Sequence, residues 1–378
     1  MMKRIFVFLL FLSLWACTDK KNEEAKSNDL SLGKIQVGVF DGHGGAEVCK
    51  WEAKEAIKLD KDMEVRMITS ADIAGGVLDE LDAIIIPGGG GSRQYLNLGH
   101  ENQERIKEFI KSGHGALGIC AGAYLFSDTP EYSCMGINGA CAIDIEHDNR
   151  GHGLAKFSLT DEGKKLFPEL ADRDLSYVVY YEGPVIDTTS NPAFTTFAMM
   201  ESDVHTEGNA PANMTNNRPF FIASDYGEGR VFSSIAHPEA TPGMRWIIPR
   251  IIRWTLKKDY VDYSENAVRP DMFNQEILFT KDMLKKESNY YDTFLYGTSE
   301  EKVAALDWLH DHVSWSAKRW VQGLVYDKDP AVRARAAYYI SESEFTHYLP
   351  DLENAYANEK NEEVKVKMKE ALDFMKGL

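Results

Sequence analysis

A cysteine, a histidine and a glutamate stand in sequence contexts that favour nucleophilic catalysis. Cys120 lies in the frame Gly118-Ile119-Cys120-Ala121-Gly122, which follows a short apolar run. This G-x-C-x-G frame is the cysteine counterpart of G-x-S-x-G, in which the nucleophile occupies a strained turn between a strand and a helix. Free N–H groups and the dipole at the start of a helix favour a thiolate. We therefore predict that Cys120 is the nucleophile of an enzyme.

The residues predicted to assist Cys120 follow another apolar run. His237-Pro238-Glu239 comes after residues 231–236, so a base stands two residues before a carboxylate. We predict that His237 takes the proton of Cys120 and later protonates the leaving amine, and that Glu239 holds the imidazole in the required tautomer. The predicted reaction is hydrolysis or transfer at an amide or related acyl group. A cysteine in an apolar strand is more often an unreactive buried thiol, so this prediction depends on the motifs occurring together.

A glycine-rich turn supplies the third part of the predicted site. Residues 87–91, Pro-Gly-Gly-Gly-Gly, end an apolar run at residues 83–86. The main-chain N–H groups of such a turn can point inward and stabilise a developing oxyanion. We predict an oxyanion hole made of the Ala121 N–H and one N–H from Gly89 or Gly90.

The polar residues after this turn are candidates for substrate binding. We predict that three of them bind a substrate carboxylate or amide: Arg93, Gln94 and Tyr95. A surface ion pair is the alternative for Arg93. His147, Asp148 and His152 could be drawn as metal ligands, but their spacing fits no strong zinc signature. We therefore predict neither a metal site nor a cofactor.

The order of the predicted elements favours an α/β fold. Strands alternate with helices between residues 34 and 119, which predicts a parallel sheet with helices on both faces, of the flavodoxin-like class. In such sheets the ligand site lies beyond the carboxyl ends of the strands. Cys120, His237 and the glycine-rich turn all follow predicted strands, so one edge of the sheet is expected to carry the site. An apolar helix at residues 244–257, which Pro249 is expected to kink, closes this domain.

At these motifs the chain resembles the class I glutamine amidotransferase-like superfamily, whose triad is Cys, His and Glu in this order. It is more similar to the family named for the N-terminal domain of biotin-protein ligase, through residues 87–90, 118–124 and 181–184. The resemblance covers about residues 34–257 and implies that fold and that triad. It also implies that Tyr124 and Glu182 lie near the site, with packing and capping as their alternative roles.

Charge and the N-terminal segment limit the partners and the compartment. The 378 residues carry a formal net charge of −17, so we predict that the protein does not bind nucleic acid. Residues 1–17 have a basic start and an apolar core and end in Cys17, which is typical of a lipoprotein signal peptide with Cys17 as the lipidated residue. An ordinary cleaved signal is the alternative. Residues 18–33 are predicted to be a flexible tether from the membrane, which places the domain in the cell envelope, at the periplasmic face or the cell surface.

The C-terminal part differs in character from residues 34–257. Residues 258–300 are predicted to form an irregular, aromatic-rich connector. Across residues 301–378 similar helix starts recur near Glu301, Asp329 and Glu362, which resembles HEAT-like repeats. Stacked helix pairs often leave a surface for a protein partner. A docking platform and a structural buttress are the two interpretations of this region.

Three further segments have open roles. Cys134 and Cys141 lie seven residues apart, and either a disulfide or two buried free thiols fits an extracytoplasmic protein. Cys49 falls in the first predicted helix and is interpreted as a packing residue. Residues 206–217 consist of loop-forming residues and are either a lid or, as we prefer, a surface connection.

Two functions from different classes follow from these predictions. The first is a membrane-anchored Cys-His-Glu hydrolase that acts on a small-molecule or peptide amide. Ammonia transfer is not expected, because an extracytoplasmic lipoprotein has neither ATP nor a fused synthetase. The second is a tethered binding protein that uses the same cleft without turnover and recruits a partner through its helical repeats.

Overall fold

A ten-stranded mixed sheet is the framework of the molecule. The computed structural model describes residues 33–188, 193–315 and 318–378. The strands within them are β1 (Ile35–Phe40), β2 (Met63–Ile68), β3 (Ala83–Ile86), β4 (Gly115–Ile119), β5 (His152–Leu159), β6 (Ser176–Tyr181), β7 (Thr195–Met200), β8 (Arg218–Tyr226), β9 (Gly229–Ser234) and β10 (Ile277–Leu278). Their order is β10-β5-β7-β8-β9-β4-β3-β1-β2, and β6 pairs with β5.

The strands that carry the predicted site form the parallel half of this sheet. β2, β1, β3, β4 and β9 pair in parallel, whereas β8, β7, β5, β6 and β10 extend the sheet by antiparallel pairing. The predicted α/β class, with a parallel core and a C-terminal helical region, is confirmed. Because β3, β4 and β9 are neighbours, their carboxyl ends meet at one edge of the sheet.

Helices cover both faces of the parallel half. The helices of the described residues are α1 (Glu47–Ile57), α2 (Ser70–Ala74), α3 (Gly91–Lys111), α4 (Ala121–Phe126), α5 (Asp161–Leu166), α6 (Ile247–Thr255), α7 (Lys281–Tyr296), α8 (Ser299–Asp311), α9 (Lys318–Val321), α10 (Pro330–Glu342), α11 (Leu349–Asn358) and α12 (Glu362–Lys376). Alternate residues of β3 enter different cores. Ile85 packs in the cluster that contains residues of α1 and α6, and Ile84 packs in the cluster that contains residues of α3 and α4. This alternation explains why β3 and β4 read as continuous apolar runs.

Two details of the predicted elements are wrong. The segment 258–300 is not irregular throughout, since α7 occupies residues 281–296. Only Glu287 and Phe294 of α7 are buried, so its sequence lacks the apolar periodicity that would reveal a helix. Pro249 does not kink a helix either. It lies in the first turn of α6, where a missing N–H costs no intrahelical hydrogen bond.

The C-terminal helices have a buried apolar core of their own, and buried polar contacts also hold them to the sheet domain. Residues of α8, α10, α11 and α12 share one buried apolar cluster, and α8, α10 and α12 begin close to the predicted repeat starts; HEAT-like repeats remain a prediction. Glu344, fully buried, accepts from the Gly243 N–H at 2.7 Å and pairs with Arg269 at 2.9 Å. Ile35–Leu378 accordingly form one compact unit. Among the described residues no helix combines the length and apolarity that a membrane crossing requires.

Candidate active site

Cys120 occupies a strained turn between β4 and α4. Its φ of 51° and ψ of −107° lie in a region that L-residues rarely adopt, and its N–H is fixed by a bond of 2.8 Å to Ser234 O of β9. The flanking glycines make this turn sterically feasible. A Cβ on Gly118 would lie 2.6 Å from Gly122 O, and a Cβ on Gly122 would overlap Ile86 O. The G-x-C-x-G frame thus forms the predicted elbow at the carboxyl edge of the sheet.

His237 and Glu239 form a buried pair beside this turn. Their Nδ1 and Oε1 atoms are 2.7 Å apart, and the side chains are 2% and 0% exposed. The main chain of His237 is held by its N–H, which donates to Val179 O at 2.7 Å, and by its carbonyl, which accepts from Thr241 Oγ1 at 2.8 Å. β6 therefore fixes the histidine next to the elbow.

The imidazole of His237 meets the sulfur side chain of Cys120 above Gly88. A Cβ on Gly88 would lie 2.8 Å from His237 Cε1 and 3.5 Å from Cys120 Cβ, so both side chains border the same small space. Burial lowers the pKa of His237, but the charge of Glu239 and the charge and hydrogen bond of Cys120 outweigh it and raise this pKa to about 10. The imidazole is thus held in its charged form beside the sulfur of Cys120.

A second contact of Cys120 favours the protonated thiol. Its Sγ lies 3.3 Å from Tyr181 O, to which a thiol can donate. A thiol bonded to a carbonyl keeps its proton and is a poor nucleophile. The sulfur of Cys120 thus lies between the imidazole of His237 and the carbonyl of Tyr181.

The structure narrows the oxyanion donor predicted from the glycine-rich turn to Gly89. The Gly90 N–H donates to Gly44 O at 2.7 Å, so Gly90 is excluded as the donor from this loop. Within the described part of the chain, no acceptor is recorded for the N–H of Gly89 or Ala121. The β-bridge between Gly45 and Gly89 and the φ of 139° at Gly89 hold this glycine at the cavity. Gly89 and Ala121 remain the candidate donors.

The three polar residues after the turn have different positions. All lie in the first turn of α3, so the helix points them in different directions. Arg93 lines the cavity. Its guanidinium packs against Gly90, since a Cβ on Gly90 would lie 2.7 Å from Arg93 Nε. Gln94 is fully buried and donates to Pro87 O at 2.9 Å, so it supports the glycine-rich turn rather than a substrate. Tyr95 packs against the core behind α3 and does not line the cavity. The predictions for Gln94 and Tyr95 are therefore wrong.

Tyr124 and Glu182 both border the cavity, as the resemblance implied. Tyr124 OH donates to Asp144, which also pairs with Arg150 at 2.7 Å in a network that is fully buried. Arg150 in turn donates to Tyr180 OH and Gly183 O and so fixes the main chain around Glu182. Glu182 has a φ of 52°, and burial together with the charge of Glu207 raises its pKa to about 7. Tyr124 thus affects the site through the buried network that holds the main chain around Glu182. The Glu182 side chain itself borders the cavity.

The cavity has a volume of 980 Å³ and is lined by both parts of the chain. The sheet domain contributes the elbow, the glycine-rich turn and the start of α1. The C-terminal region contributes six residues that no sequence motif had indicated: Trp315, Lys318, Arg319, Gln322, His347 and Tyr348. Trp315 packs on the imidazole of His237, with 4.6 Å between ring centroids. The loop at residues 206–217 does not line the cavity, in agreement with a surface connection.

Cys49 is a second thiol in this site. It is buried at the cavity wall, and burial, Glu239 and Cys120 raise its pKa, so it stays protonated and unreactive. Cys49, His237 and Glu239 each offer a ligand atom within 4.8 Å of the others, a set that could hold a soft divalent cation. His237 and Glu239 are already bonded to each other, so such an ion would compete with that bond. The packing role predicted for Cys49 omitted its position beside the histidine.

The remaining predicted residues lie away from the cavity or outside the description. Cys134 and Cys141 are free thiols, with Sγ atoms next to Thr129 O and Asp128 O respectively, which supports two thiols over a disulfide. His152 pairs with Glu207 at 2.6 Å and stacks on Tyr181. Cys17 lies outside the described residues.

Comparisons with known proteins agree with part of this picture. Residues 35–144 match the family model described as biotin-protein ligase, N terminal; the match includes Cys120 but ends before His237. No curated protein matches the chain. A ThuA-like protein from Parabacteroides merdae is similar over 64% of this chain and 100% of its own, with 15% identity and a TM-score of 0.45. The glutaminase domain of CTPS from Trypanosoma brucei with bound acivicin is similar over 62% and 100%, with 12% identity and a TM-score of 0.42. With scores this low, the fold assignment rests on the sheet topology itself.

Proposed function

We propose that the protein is a cysteine hydrolase that cleaves an amide or a related acyl group with Cys120, His237 and Glu239. The observation that carries the proposal is the meeting of three features above Gly88: a cysteine in a strained elbow, an imidazole with a raised pKa, and the carboxylate that holds this imidazole. Perturbed titratable groups that converge in a cavity are typical of catalytic sites.

The geometry supports a two-step acyl transfer. The Cys120 thiolate attacks the carbonyl carbon, and the new C–S bond pushes the carbonyl electrons onto oxygen, where the N–H groups of Gly89 and Ala121 can stabilise the charge. His237 donates its proton to the leaving amine as the C–N bond breaks, which leaves a thioester on Cys120. The thioester carries no charge, so His237 loses part of the interaction that raised its pKa. The imidazole can then take a proton from water, and hydroxide addition releases the acid and restores the thiolate.

We further propose that the protein is anchored in the cell envelope by a lipid on Cys17 and that its substrate is a small-molecule or peptide amide. Ammonia transfer to a synthetase is not part of the proposal, for the reason of compartment given above. We also propose that a protein partner docks on the C-terminal helices.

The contact of Cys120 Sγ with Tyr181 O favours a second candidate, a binding protein without turnover. Alkylation by iodoacetamide separates the two. A hydrolase is expected to lose Cys120 at a rate well above that of a free thiol at pH 7, and His237→Ala is expected to abolish the difference. Slow labelling that His237→Ala leaves unchanged would refute the hydrolase and support the binding protein. Peptide mapping distinguishes Cys120 from Cys49, Cys134 and Cys141.

A further inference from the structure

The C-terminal helical region borders the candidate active site and is fixed there by buried contacts. Trp315 packs on His237, and its ring also meets Tyr181 edge to face, with centroids 6.4 Å apart. Lys318 Nζ contacts Glu52 of α1, and both side chains are 3% exposed. Burial lowers the pKa of Lys318. Glu52 also pairs with Arg245 at 3.3 Å. Trp315 and Lys318 therefore form a fixed part of the cavity wall.

Two arginines face this cavity from opposite parts of the chain. Arg93 comes from the first turn of α3, beside the glycine-rich turn, and Arg319 comes from α9. Both are exposed, and no carboxylate within the described ranges forms an ion pair with either of them. The chain has 59 acidic and 42 basic residues, so acidic partners are plentiful elsewhere. Guanidinium groups left open at a cavity match carboxylate or phosphate ligands.

The carboxylates of the cavity do not neutralise these arginines. Glu47 accepts from Trp51 Nε1 at 3.1 Å, and Asp148 is exposed at the rim. Glu182 follows Tyr181 on the side of the elbow where Cys120 Sγ meets the Tyr181 carbonyl. An acidic group on a substrate would be repelled from that side and drawn toward Arg93 and Arg319. The charges would thus orient the substrate as well as bind it.

We propose that Arg319 of the C-terminal region, together with Arg93, forms an anion subsite that selects acyl substrates bearing a carboxylate or phosphate group. This inference rests on the proposed function, since it gives that reaction its substrate class. It assigns the C-terminal helices a role in specificity, which neither a docking platform nor a buttress provides. Arg93 lies beside the candidate oxyanion donors, so the acidic group is held close to the reacting carbonyl.

Matched maleimides test the subsite on the intact protein. N-ethylmaleimide is neutral, and its carboxyethyl and phosphonoethyl counterparts add one acidic group to the same reactive ring. The rate of Cys120 modification is measured with each probe. The rate with an acidic probe is divided by the rate with the neutral probe, and this ratio is divided by the corresponding ratio for 2-mercaptoethanol, which corrects for the intrinsic reactivity of the probes. The larger of the two acidic ratios identifies carboxylate or phosphate as the preferred group.

The variants are Arg93→Gln and Arg319→Gln, with Arg105→Gln as the matched control. Arg105 is an exposed arginine of α3 that does not line the cavity, so its replacement makes the same change in net charge. We expect an acidic-to-neutral ratio above one in the unaltered protein, a fall of about fivefold in each cavity variant, as one lost exposed ion pair implies, and no change in the control. The neutral probe reports whether each variant is still folded around Cys120.

Two results would overturn the subsite, and they differ in what they say about the reaction. If the neutral probe modifies Cys120 rapidly but neither arginine changes the ratio for either acidic probe, the subsite is refuted and the hydrolase stands. If no probe modifies Cys120 faster than it does in His237→Ala, the hydrolase fails and the subsite fails with it.

Discussion

The bond between His237 and Glu239 makes the sharpest prediction. Glu239→Gln keeps the size of the side chain and an oxygen that can accept from Nδ1, but it removes the charge. The bond is 2.7 Å long and both groups are buried, so solvent does not compensate the loss. Hydrogen bonds to charged groups contribute about 2 kcal/mol, which corresponds to a roughly thirtyfold change in an equilibrium. We therefore expect the equilibrium between the charged imidazole–thiolate pair and the neutral imidazole–thiol pair to shift by about that factor toward the neutral pair.

The assay is the second-order rate of Cys120 alkylation by iodoacetamide at pH 7, together with an NMR titration of His237. The rate is expected to fall by up to roughly thirtyfold. The pKa of His237 is expected to fall below about 10, because only the interaction with Cys120 then opposes the effect of burial. Glu207→Gln is the matched control, because Glu207 pairs with His152 in the same way outside the cavity. An alkylation rate within twofold of the unaltered protein, with an unchanged titration of His237, would refute the reasoning.

Three other outcomes follow from the packing and the charges. Gly122→Ala is expected to destabilise the protein by about 1 to 3 kcal/mol in urea unfolding, because the new methyl group would overlap a main-chain carbonyl of β3; an unchanged midpoint would contradict the elbow geometry. Because the pKa of Glu182 is raised from 4.5 to about 7, this side chain destabilises the folded protein increasingly as the pH rises from 4.5, and fully above about 7. Glu182→Gln is therefore expected to raise the melting temperature at pH 8 but not at pH 4, and equal shifts at both pH values would contradict this prediction. Glu344→Ala is expected to cost about 3 kcal/mol, since it removes the buried carboxylate that pairs with Arg269 and accepts from the Gly243 N–H; a loss below about 1 kcal/mol would show that these contacts do not hold the C-terminal region in place.

Local sequence patterns predicted the parallel half of the sheet and the elbow. The runs that became β3 and β4 are buried on both faces, so they read as uninterrupted apolar segments, and they end in the glycine-rich turn and the cysteine motif. The frame around Cys120 is equally local, because Gly118 and Gly122 meet within one turn. Interactions of this kind depend on residues that are close in the chain, and sequence reasoning reaches them.

The parts of the site that depend on distant packing were not predictable. Gln94 and Arg93 are adjacent in sequence, yet the helical turn places one under the glycine-rich turn and the other in the cavity. The Gly90 N–H donates to the carbonyl of Gly44, about 46 residues away in the chain, and so is not free to stabilise an oxyanion. No local sequence pattern predicts this pairing. Trp315 reaches His237 only because the C-terminal helices pack on the sheet domain, and the repeat pattern of those helices reports their own core alone.

The most direct test of the central claim is a search for an acyl-enzyme. The protein is mixed with p-nitrophenyl acetate, p-nitrophenol release is followed, and intact mass and peptide maps are recorded over time. The account predicts a burst of one equivalent, an acetyl group on Cys120 that later disappears by hydrolysis, and no burst in Cys120→Ala. An adduct on Cys49 instead, or identical release in Cys120→Ala, would contradict it.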